Sequence, residues 1–213
     1  MTTTILGVRH GEVHNPDGVI YAGLSGFGLS GDGRRQAAEV ADALRGANVI
    51  ALYASPLDRG IETARIISEA IGVEVIPDSR LEEWGHWHQW AGMTWEELRT
   101  KGRDAWEMYI SDPGSVTSGE SLAQLADRVE AWMKDVERDH PDSLAVGVSH
   151  LEPLRAILLR SLERPAGDLF GIEIGPGAAV RLAPEPDPTP LEAASIRRMV
   201  DASIPGTPRS PSL

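Results

Sequence analysis

Two histidines occupy places from which a chain can do chemistry. His10 stands in Arg9-His10-Gly11-Glu12, directly after the apolar run Ile5 to Val8. His150 stands in Ser149-His150-Leu151-Glu152, at the end of a second apolar run that starts at Leu144. A neutral imidazole is a competent nucleophile near pH 7. If it attacks a phosphoryl group, the negative charge on three equatorial oxygens has to be balanced by placed cations. Arg9, Arg59 and His150 are the candidates for that task. The leaving oxygen also needs a proton, and Glu82 or Glu83 could give one. This inventory suits phosphoryl transfer without a metal ion.

Each of these residues also has a plainer reading. A histidine after a strand can be a buried structural group. Arg59 could pair with Asp58 or Glu62 on a helix surface. Glu82 and Glu83 could be a solvated pair. Glu12 reads as a hydrogen-bonding support, and Glu120 with Ser121 either starts a helix or lines a site. His86-x-His88 invites a metal reading, because alternate strand residues face the same way. No third ligand stands nearby, and Trp84, Trp87 and Trp90 interleave with the pair, so the metal reading is set aside. The segment Trp84 to Met93 is the most distinctive in the chain and the candidate for setting specificity.

The elements that must position these groups alternate. Strands are expected at 5–8, 49–54, 73–76 and 144–149. Helices are expected at 31–45, 56–71, near 94–103, at 120–138 and at about 153–163. Gly46 and Gly72 stop the first two. Residues 11–30 read as a long loop. Phe170 to Ile174 and Ala178 to Leu182 read as a hairpin around Gly175-Pro176-Gly177. Strand–helix alternation predicts a mostly parallel sheet with helices on both faces. Ligands then bind outside the carboxyl ends of the strands, where Arg9-His10 and Ser149-His150 both lie. The domain is expected over residues 1–182. Residues 183–213 are Pro-rich and read as a largely disordered tail, with a short helix near 190–201.

The chain has 213 residues, a length that suits one α/β domain. It has no cysteine, which excludes disulfides, thiolate catalysis and thiolate zinc sites and fits a cytoplasmic location. Its formal net charge is −12, so nucleic acid is a poor partner. An anionic substrate is still compatible, because a few cations in one pocket set the local potential. No apolar run approaches the roughly 20 residues that span a bilayer.

Six separated stretches carry a further signal. They are Leu6 to Glu12, Leu29 to Ala37, Tyr53 to Ala64, Leu81 to Glu83 with Trp90 to Thr94, Gly119 to Ser121, and Val146 to His150. In order and spacing they resemble the histidine phosphatase superfamily, the phosphoglycerate-mutase-like proteins. The resemblance covers about residues 4–182. It implies a three-layer α/β/α sandwich with a mostly parallel central sheet, and an enzyme that works through phosphohistidine.

By the same resemblance His10 is the nucleophile, Glu83 the general acid, and Arg9, Arg59 and His150 line the phosphate pocket. Glu82 stays open as the acid. Asn15 is expected on the phosphate, one position before the family's usual Asn. Leu151 is counted with the substrate-binding residues, although it and Glu152 stand where family members often carry glycines. Glu152 would bring a carboxylate close to the phosphate, unless it points away. No cofactor and no metal are expected. The expected partner is a small phosphomonoester, with no membrane and with a homodimer left open. Phosphatase is favoured because the longer basic and aromatic insert of the family's mutases is missing. A phosphomutase and a catalytically silent phosphate-binding protein are the alternatives.

Overall fold

In a computed structural model, residues 2–192 and 194–197 are described. Five strands form one sheet: β1 (Thr4–Arg9), β2 (Val49–Ala54), β3 (Val75–Pro77), β4 (Leu144–Ser149) and β5 (Ala179–Ala183). Their order is β3-β2-β4-β1-β5. All neighbouring pairs are parallel except β1 with β5. The helices are α1 (Gly31–Leu44), α2 (Asp58–Ile71), α3 (Trp95–Lys101), α4 (Arg103–Ser111), α5 (Leu122–Asp139) and α6 (Leu151–Ser161).

Alternation along the strands builds two cores, one on each sheet face. Ile5, Ala51 and Ala145 pack with Val129 and Trp132 of α5 and Ile157 of α6. Leu6, Val8, Leu52, Val146 and Val148 pack with Val40 and Leu44 of α1 and Ile67 of α2. The result is the three-layer sandwich that was expected. On the first face Gly7 of β1 lies opposite Gly147 of β4. A Cβ on Gly147 would meet the Trp132 ring, and one on Gly7 would meet Leu154 at 2.6 Å. Two missing side chains thus let α5 and α6 approach the sheet.

Three expectations need correction. The hairpin is absent: β5 pairs with β1, while Ala166–Gly171 is a 3-10 helix. The single helix expected near 94–103 is followed by a second: α3 is capped at Gly102, whose φ of −106° keeps it out of the left-handed region, and α4 starts at once. The chain also does not come loose at 183. Asp187 N donates to Arg181 O at 2.9 Å and Leu191 N to Ala179 O at 2.7 Å. Residues 194–197 are helical, and Ile196 is 2% exposed against the second core. The alternating-strand pattern ended at 182, and Pro content hid this strap. The remaining part of the expected tail, 198–213, lies outside the described residues.

Candidate active site

The pairing of β1 with β4 decides where the two histidines meet. Arg9 is in register with Ser149, so His10 and His150 leave the sheet side by side. The His10 amide donates to Ser149 O at 3.0 Å, and the two rings lie 5.0 Å apart at 62°. His10 is 3% exposed, and His150 is fully buried. Nδ1 of His10 is 2.8 Å from Gly11 O. A carbonyl only accepts, so Nδ1 carries the proton and Nε2 keeps its lone pair. Thr63 holds this turn by accepting from the Gly11 amide at 3.1 Å.

β2 delivers the next groups. Ser55 N donates to Val148 O, and Ser55 Oγ lies 2.8 Å from His150 Nε2. Arg59 follows in the first turn of α2 and points inward, away from its helix neighbours. Glu62 pairs instead with Arg34, and Asp58 accepts from Gly26 N. Arg59 Nε donates to His10 Nε2 at 3.3 Å, and Nη2 donates to Ala22 O at 2.7 Å. The Tyr21 ring lies 4.7 Å from the guanidinium carbon. Arg9 Nη1 donates to Ile174 O at 2.7 Å. Arg9 Nε, Arg59 Nη1 and His150 Nδ1 are buried and have no partner.

Burial, then the Arg59 charge, lowers the His10 pKa to about 3. The same two causes hold His150 well below the ordinary imidazole value. Both rings are therefore neutral at physiological pH.

Beside these groups opens a cleft of about 420 Å³. Arg9, Asn15, Tyr21, Glu83, Trp87, Trp95, Leu151 and Glu152 are among its lining residues. Glu83 faces it and Glu82 does not. Burial raises the Glu83 pKa above the ordinary carboxyl value, against the pull of Arg59. Its Oε1 accepts from Trp84 N at 2.8 Å. Asn15 spends its amide on its own loop, with Nδ2 on Val19 O and Oδ1 on Val19 N. Glu152 does not point away.

Several supports were missed by reading residues singly. Ser55 and Thr63 lie within a quoted stretch, yet their partners are far away in sequence. Arg128 donates to the carbonyls of Arg80, Glu82 and Glu83 and pairs with Glu120 at 2.6 Å. It pins the acid loop from α5. Glu120 accepts from Gly85 N and braces that loop without lining the cleft, while Ser121 caps α5. Glu12 supports the nucleophile loop by accepting from Ser30 Oγ. His86 and His88 sit on a 3-10 helix, not a strand. His86 is buried, with Nδ1 2.9 Å from Ser118 Oγ and its ring 4.7 Å from Trp90, while His88 is exposed.

The sequence profile of the histidine phosphatase superfamily (branch 1) matches residues 5–196. The chain belongs to that superfamily. It is 37% identical over 153 residues to phosphoserine phosphatase 1 of Hydrogenobacter thermophilus, an alignment covering 70% of this chain and 72% of that protein. It is 31% identical over 164 residues to a probable phosphoglycerate mutase of Proteus mirabilis, covering 75% and 74%. A phosphoserine phosphatase from Entamoeba histolytica, solved with phosphoserine, superposes with a TM-score of 0.72 at 26% identity, covering 84% and 89%. This histidine phosphatase has, among the described residues, no helix long and apolar enough to cross a membrane.

Proposed function

We propose that the chain hydrolyses a small phosphomonoester through a phosphohistidine on His10 Nε2, with no metal ion. The observation that carries this reading is the set of unpartnered buried donors beside a neutral imidazole: Arg9 Nε, Arg59 Nη1 and His150 Nδ1. Buried donors without acceptors are costly, and phosphoryl oxygens satisfy them. The Nε2 lone pair attacks phosphorus while the ester P–O bond breaks. Glu83, whose pKa is raised by burial, gives its proton to the leaving oxygen. The Glu83 carboxylate then takes a proton from water, whose oxygen attacks phosphorus. The P–N bond breaks and its electron pair returns to Nε2. Leu151 and Asn15 shape the entry.

The test is turnover of p-nitrophenyl phosphate with EDTA present. His10→Ala is expected to lose on the order of 10⁴-fold or more in kcat. Equal rates for variant and wild type would overturn the nucleophile. The mutase reading draws support from the Proteus relative; conversion of 3-phosphoglycerate to 2-phosphoglycerate without free phosphate would favour it. The reading places the enzyme in the cytoplasm, and cell fractionation checks that.

A further inference from the structure

Glu152 is the second residue of α6, two positions past His150. A carboxylate suits a helix N-terminus, but this one is 3% exposed. Its Oε1 takes both available partners, the Tyr109 hydroxyl at 3.0 Å and Arg155 Nη1 at 3.1 Å. Its Oε2 is buried with no partner. A buried carboxylate oxygen left unpaired costs more than a satisfied amide would. Through Oε1 the charge of Glu152 serves the fold, as the ion-pair partner of the largely buried Arg155. Oε2 is the oxygen that the fold leaves unused.

The same side chain lines the proposed substrate cleft. The cleft has two characters. Arg9 stands at its phosphate end. Glu152 lines the same cleft together with Trp87 and Trp95. Aromatic faces and a lone carboxylate oxygen together make a site for a cation.

Resting on the phosphatase reading above, we infer that Glu152 Oε2 accepts a hydrogen bond from a protonated amine of the substrate. The preferred substrates are then short phosphomonoesters carrying an ammonium group. A bound ammonium completes the hydrogen bonds of Glu152 by pairing the oxygen that Arg155 and Tyr109 leave free. Burial, with a push from Glu83, raises the Glu152 pKa to about 7 against the pull of Arg155, and a bound cation favours the ionised form. A hydroxyl at the same place could donate one bond but brings no charge.

The experiment compares kcat/KM for O-phosphoserine and 3-phosphoglycerate, which carry an ammonium and a hydroxyl on the same carbon. Wild type is expected to prefer phosphoserine by about tenfold or more. In Glu152→Gln the ratio is expected to fall toward one. A second pair, phosphoethanolamine against ethyl phosphate, reads the same preference on wild type alone, and decides the matter if the variant does not fold. A wild-type ratio of one or below on both pairs overturns the amine site, as does an unchanged ratio in a folded Glu152→Gln. Wild type that hydrolyses p-nitrophenyl phosphate but shows no amine preference overturns this inference alone. Wild type that hydrolyses no phosphomonoester overturns the phosphatase reading itself.

Discussion

At His10 the protein has exchanged proton affinity for readiness. Under the proposed mechanism, an imidazole held neutral by burial and by Arg59 loses no nucleophile to protonation at physiological pH. The pH dependence of the rate should then come from the acid. Glu83 must be protonated to serve the leaving oxygen, so kcat/KM is expected to fall as pH rises through its elevated pKa. Glu83→Gln should cost about 10²- to 10⁴-fold and remove that alkaline limb, measured with wild type on one substrate. The same burial has a consequence for stability. His10 has a lower pKa folded, about 3, than unfolded, near 6.5. Between those values the unfolded chain holds more protons, so stability is lost as pH falls from 6.5 toward 3. Glu152, raised to about 7, acts with the opposite sign: its share is present below about 4.5 and lost as pH rises to about 7. Urea midpoints against pH should fall less steeply below 6.5 for His10→Ala than for wild type. The sequence singled out His10, which follows the apolar run Ile5 to Val8, and Glu83, which ends the stretch from Leu81 with Glu82 left open beside it; the structure puts Glu83 and not Glu82 on the cleft. The unpaired oxygen of Glu152 was not legible in the sequence, since only packing shows which partners a carboxylate finds.

At the scale of elements, the positions of β2, β4, α1 and α5 were legible because their apolar spacing is regular and their ends are marked. α4 was hidden by Gly102, which ends α3 without turning into the left-handed conformation of Gly72, so the chain re-enters a helix at Arg103. The supposed hairpin failed for another reason. Its first arm has strand composition, but β1 offers the better partner to the second arm. The close approach of α5 to the sheet rests on Gly147 under Trp132. Gly147→Ala is expected to destabilise by about 1–3 kcal/mol through overpacking, read as a lower urea midpoint at unchanged slope. Ser55 belongs to the turn that hands β2 over to α2. Ser55→Ala should free the His150 ring and cost up to about tenfold in kcat/KM, with the urea midpoint nearly kept.

At the scale of the molecule, a net charge of −12 surrounds a phosphate pocket built from cations. The overall sign does not decide the pocket's potential, because charges more than roughly 8 Å away are screened at physiological salt. The described residues after β5 pack Leu191 and Ile196 against the second core beside α1, and a chain ending at Thr189 loses both. That chain is expected to be less stable by on the order of 2 kcal/mol or more, seen in the urea midpoint against full length. The strand order also sets a timetable for the ribosome. β1 leads into His10, the proposed nucleophile, and among the described strands its neighbours are β4 and β5. The first of these begins at Leu144, long after Thr4 has been made. At about 5–20 residues per second, the nascent β1 waits roughly seven to thirty seconds for a partner. During that interval its apolar residues are a natural client site for chaperones, and His10 has no pocket to sit in.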